Sequence, residues 1–166
     1  MTGMEPRIGI DDDHRQAVCE SLSILLADEF VLYVKTRNAH WNVEGPDFHC
    51  MHKFFEIQYE ELDVIIDDVS ERMRSLGHIT PATLKKYISL THLSERERDN
   101  FESQDFILEL LNDHQTVIVN LRFLINDFAS THNDLGTSDF VTGLMKTHEK
   151  MAWMLRAHRP ISNDGF

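Results

Sequence analysis

Between Met51 and Leu76 an apolar side chain recurs at helical steps, at Met51, Phe55, Leu62, Ile66, Val69, Met73 and Leu76, with no glycine or proline in the run. On a helix that turns about 100° per residue those positions share one face. The spacing predicts an amphipathic helix of about seven turns, with Pro46 in its first turn and Gly77 at its end. One such stripe is not stable alone in water; it needs other helices to cover it. Three more segments have the same period. Val18, Leu22, Leu25 and Leu32 mark a first helix from about Asp13 to "NAHWNV". Phe106, Leu110, Val117, Leu121, Leu124 and Phe128 mark a third, with Ser103 as its expected cap. Val141, Leu144, Met145, His148, Met151, Ala152 and Leu155 mark a fourth, capped by Ser138 and stopped before Pro160.

The seven glycines and four prolines lie almost entirely between these segments, and strand-like alternation is absent. The connector "HITPATLKKYISLTHLSERERDN" is long enough for a crossover and carries a short periodic piece around Ala82 to Ile88. Four long helices with one long middle connection predict an all-α, ferritin-like four-helix bundle, with a short extra helix between the second and third long helices. With 166 residues, 42% of them hydrophobic, a single domain spanning 1–166 is expected, with short flexible tails at about 1–12 and 159–166. No apolar run approaches the roughly 18 residues of a membrane span and the first residues lack a secretory pattern, so a soluble cytoplasmic protein is expected. Cys19 and Cys50 form no CxxC pair and read as small buried hydrophobes. A net charge of -12 favours cations as partners and disfavours polyanions.

Relative to the apolar stripe of the second helix, His52, Glu56, Asp67 and Glu71 cluster about 130° away, on the outward side. Interior metal sites of helical bundles use a Glu-x-x-His motif on facing helices, and no histidine in this chain is preceded by one. His52 and Glu56 are one turn apart, as are Asp67 and Glu71, but Glu56 and Asp67 are separated by about 16 Å of helix axis. One ion cannot touch both pairs unless the second comes from an antiparallel copy, which a twofold axis between identical subunits supplies. His40, at the end of the first helix, can reach His52. The set His40, His52 and Glu56 from one chain with Asp67 and Glu71 from its mate suits Fe(II), and also Zn(II) or Mn(II), but not Cu(I). The bland alternative is an acidic face that is simply solvated, or paired with Arg72 and Arg74.

The stretch "KTRNAHWNVEGPDFHCMHKFFEIQYEELDVIIDDVSERMRSLG" closely resembles the signature of the Dps proteins, the mini-ferritins, and "HEKMAWMLRA" resembles their fourth-helix signature. The likeness spans roughly Asp13 to His158. It implies a hollow homododecamer of 23 symmetry, with ferroxidase centres at twofold dimer interfaces that oxidise Fe(II) with hydrogen peroxide or oxygen and store ferric iron inside. By the same resemblance His40 and His52 are the two site histidines, Glu56 the residue following, Asp67 and Glu71 the paired carboxylates, and Trp41 a neighbour of the site. Trp153 has an aromatic counterpart whose other role is core packing. Glu60 and Asp63 would help iron leave or nucleate. The resemblance also implies a threefold pore, for which Asp134 and Asp139 in "THNDLGTSDF" are the candidates, although Asp134 also suits a turn.

One departure concerns DNA. Family members that condense DNA carry a lysine-rich tail, whereas residues 1–14 hold no lysine and one arginine, Arg7. Together with the charge of -12 this makes DNA binding weak or absent, because phosphate neutralisation needs Lys and Arg. A nucleoid-compacting protein with subsidiary metal sites is the competing reading.

Overall fold

The computed structural model describes residues 6–159, so residues 1–5 of the expected N-terminal tail and 160–166 of the C-terminal one lie outside the described residues. It contains five helices: α1 (Asp12–Asn42), α2 (Phe48–Ser75), α3 (Leu84–Leu90), α4 (Ser103–Ser130) and α5 (Leu135–Ala157). No strand is present among the described residues; Glu44 and Glu102 form an isolated bridge that ties the α1–α2 turn to the start of α4. The chain forms an all-α four-helix bundle with one short extra helix, as the periodicity predicts. No described helix is long and apolar enough to cross a membrane.

α1 and α2 form an antiparallel hairpin whose register is marked by Tyr33 against Tyr59 and Cys19 against Met73. α4 and α5 form a second hairpin, marked by Ser138 Oγ donating to Ile125 O. The crossover between them makes α2 and α4 run the same way, and Phe55 meets Phe106 at one level of the core. Leu22, Leu25, Leu32, Leu62, Val117, Leu121, Phe128, Val141 and Leu155 are all fully buried. Each such side chain contributes roughly 1.5–3 kcal/mol relative to its exposed state.

The helix starts differ from expectation in three places. Pro46 precedes α2 by two residues, because Asp47 holds a non-helical conformation between them. Ser103 does not cap α4; it is the first helical residue, and its hydroxyl donates to Asp47 Oδ2 at 2.6 Å, closing the turn below α1. α5 starts three residues before Ser138 because Asp134 caps it, accepting from Thr137 N at 2.9 Å. At the end of α2, His78 N donates to Met73 O and Gly77 N to Arg74 O. That Schellman closure needs the positive φ of 92° at Gly77, and a Cβ there would stand 2.7 Å from Pro6 Cδ.

α1 is covered on several sides and carries buried charge. Asp28, 1% exposed, accepts from Thr91 Oγ1 (2.7 Å) and His92 N (2.6 Å), which fastens the end of α3 to α1. The stacked pair Phe30 and Tyr87 completes that seam.

Candidate metal centre

The two histidines meet where α1 ends and α2 begins. The last carbonyls of a helix have no partner within it, and His40 O is one of these in α1. His52 Nδ1 lies 2.8 Å from it, while His40 Nδ1 lies 2.8 Å from His52 O. Backbone carbonyls only accept, so both rings donate through Nδ1 and both keep the Nε2 lone pair free. The rings stack at 3.8 Å. Hydrogen bonding of one ring nitrogen to a carbonyl is the device that fixes a metal-binding histidine in tautomer and direction.

Tyr59 packs edge-on against His40, and the Arg37 guanidinium lies over the rings of Tyr59, Tyr33 and Trp41, at 4.3, 5.6 and 4.9 Å from their centroids. Trp41 itself is 61% exposed. Glu56, one turn from His52, is bound by Lys53 at 2.7 Å. That hydrogen bond, with the Lys53 charge adding to it, holds the Glu56 carboxyl below its usual range. An exposed pair of this kind is weak enough for a cation to displace.

Asp67 and Glu71 are exposed further along α2. Among the described residues neither has a cationic partner, because Arg72 turns to Asp134 and Thr137 and Arg74 bonds His78 O. Pairing with Arg72 and Arg74 is therefore not formed, and both carboxylates face solvent in the single chain. The structure brings His40 and His52 together, with Glu56 one turn further along α2 and held by Lys53, and leaves Asp67 and Glu71 about 16 Å from Glu56 along the axis. Among the described residues no three His, Cys, Asp or Glu side chains of one chain gather closely enough to hold an ion.

The outward face between the two halves is not purely polar. Ile57 and Val64, seven residues apart and on one side of α2, are 60% and 56% exposed, flanked by the exposed Glu60 and Asp63.

Three expectations change here. Asp134 is 2% exposed, with its carboxylate taken by Thr137 and Arg72, so it is a structural cap and does not line an opening; Asp139, just past the first turn of α5, is exposed. Trp153 is 60% exposed and is not a core residue. Cys50 is exposed, whereas Cys19 is buried, and burial pushes its thiol up to about 11. The interior also holds imidazoles and a carboxylate that a search for Glu-x-x-His cannot find, because Glu29, His114 and His148 come from three different helices.

The chain matches the family model for the ferritin-like domain over residues 19–159, which defines its class. It is 37% identical over 139 residues to the DNA protection during starvation protein of Helicobacter pylori, covering 84% of this chain and 96% of that protein. It is 38% identical over 161 residues to an uncharacterized low temperature-induced protein of Nostoc, covering 95% and 90%. Among solved structures it is similar to a Dps protein from Vibrio cholerae, described as a member of a broad superfamily of ferritin-like diiron-carboxylate proteins, with a TM-score of 0.87 at 28% identity over 95% of this chain and 98% of that one. Mycobacterium smegmatis Dps gives a TM-score of 0.89 at 25% identity, covering 100% and 99%. The chain belongs to the Dps family of ferritin-like proteins.

Proposed function

We propose that this protein is a ferroxidase and iron store, whose sites are built by two chains across a twofold axis. His40, His52 and Glu56 of one protomer would hold iron together with Asp67 and Glu71 of its partner, two such sites per dimer. The observation that carries this reading is the reciprocal pair of His40 and His52, whose Nδ1 atoms are both committed to backbone carbonyls so that only Nε2 can bind an ion. The exposed Ile57 and Val64 supply the apolar contact that a dimer seam needs between its two acidic ends.

Iron is the substrate and the cargo. Peroxide accepts two electrons and each Fe(II) gives one. Two Fe(II) held together thus reduce one peroxide, with two protons, to two waters, and no hydroxyl radical leaves the site. The side chains act as ligands and not as proton donors. In the reading carried from the family, twelve chains enclose a cavity in which ferric iron is deposited, and exposed carboxylates such as Glu60, Asp63 and Asp139 draw cations along the way by focusing the field. Anaerobic Fe(II) added to the apoprotein and titrated with peroxide should be consumed at two Fe(II) per peroxide, much faster than in buffer. A rate equal to that in buffer would overturn the proposal.

The competing reading, DNA compaction, gains nothing from the charge of -12 per chain. We expect duplex DNA to keep its full electrophoretic mobility with excess protein even at low salt, where phosphate contacts are strongest. Retarded bands that disappear with added salt would favour compaction instead.

A further inference from the structure

Three ionisable side chains meet in the bundle interior without any part in the chemistry above. Glu29 of α1, His148 of α5 and His114 of α4 are 0%, 0% and 1% exposed. His148 Nε2 lies 2.9 Å from Glu29 Oε1, and its other nitrogen, Nδ1, lies 2.9 Å from His114 Nδ1. The result is a linear chain that joins three helices. The carboxylate end is under-satisfied: neither Glu29 oxygen has an aligned hydrogen bond, nor does His148 Nε2. A carboxylate so placed is tolerable only beside a positive charge, and His148 is the group in position to carry it.

Among the described residues no other group around these three can take that charge. α2 brings Gln58 and otherwise apolar side chains to the interior, and α3 brings only Tyr87. On α5 the other buried polar residues are Thr137 and Ser138. On α1, Asp28 is turned to residues 91 and 92, His40 lies at the far end against His52, and Arg15 sits at the opposite end beside Asp12. Lys35 is held by Glu109 and by Asp113, the neighbour of His114 on α4.

Two facing Nδ1 atoms at 2.9 Å hold a single proton between them, one ring donating and the other accepting. If both rings are imidazolium, two N–H groups point at each other and the contact cannot persist. We propose that Glu29, His148 and His114 form an acid-operated latch, which holds α1, α4 and α5 together while the two imidazoles share one bridging proton and releases them when both are charged.

The direction of the effect follows from His114. Burial first, and the charge of His148 second, push its imidazole well below the ordinary histidine range. The unfolded chain takes up this proton near pH 6.5; the folded chain does not. Stability from this group is therefore unchanged above about pH 6.5 and is lost as the pH falls below it, by about tenfold in the folding equilibrium constant per pH unit.

The test uses the full-length apoprotein and is independent of iron. In a histidine-labelled sample, the His114 ring resonance should stay fixed from pH 7.5 down to pH 5. Urea unfolding at pH 7.5 and 5.5 should show wild type losing about tenfold more in its folding constant than His114→Gln loses over the same interval. A His114 resonance that titrates within that interval, or an unaltered pH dependence in His114→Gln, would overturn the latch. If the variant does not fold, the wild-type titration decides alone.

Discussion

A protein with His40 and His52 both replaced by Ala, and a second with Asp67 and Glu71 both replaced by Ala, should each oxidise Fe(II) no faster than buffer does. Co-assembly of the two in equal amounts should nevertheless recover about a quarter of the wild-type rate. Random pairing makes about half of the dimers mixed, by the symmetry of an isologous interface. In a mixed dimer one site receives both sets of replacements, and the other receives intact histidines from one chain and intact carboxylates from its mate. A site built within one chain gives no recovery at any ratio. Assembly is monitored by size in parallel, since His40 and His52 also close the backbone between α1 and α2. Mixtures that assemble and remain inactive would remove the shared site.

The parts of this site that were readable in the sequence are those governed by one helix. The 3.6-residue period placed His52, Glu56, Asp67 and Glu71 on a face opposed to Leu62, Val69 and Met73, and those apolar residues are buried. The axial rise separated the two halves before any coordinates did. Less readable were features that depend on what another element brings. Ser103 and Ser138 have the chemistry of caps, yet Asp134 lies where α4 turns back and can also reach Arg72, so it captured the helix start. Ser103 does not cap because it lies inside α4 and its hydroxyl is drawn to Asp47, 56 positions away in sequence. Glu29, His114 and His148 form no local motif, and His148 reads in sequence as a member of an apolar stripe because it is buried like one. Lys35 is the plainest case. A lysine in the middle of a helix is normally solvated, and nothing nearby in the sequence says that this one faces α4.

Lys35→Ala should be the most damaging single replacement of a charged residue in the bundle, because its partners would stay behind. The ammonium lies 2.9 Å from Glu109 Oε1, 2.5 Å from Asp113 Oδ2 and 2.8 Å from Ser94 O, and the side chain is only 9% exposed. It joins α1 to α4 and holds the end of the crossover. Arg98 also reaches Glu109, so Glu109 would keep a cation, but Asp113 would not. Breaking a buried pair from one side costs roughly 3–5 kcal/mol, mainly from the stranded charge. Adding Asp113→Asn to the same chain should therefore recover roughly 1–3 kcal/mol of the loss, the range of coupling found for contacting groups. The pH dependence separates this cause from a packing defect. Burial already pushes the Asp113 carboxyl up, and Lys35 pulls it back down, so without the lysine it rises further. A carboxyl raised in the folded state binds its proton before the unfolded chain does, and stability then falls as pH rises through that value. The deficit of Lys35→Ala should accordingly shrink as the pH is lowered from 7 towards about 5, toward the reference carboxylate range. Urea midpoints at matched protomer concentration measure it, provided the denaturant slope is unchanged. A deficit of the same size at both pH values, or no rescue by Asp113→Asn, would show that Lys35 matters for its aliphatic packing and not for its charge.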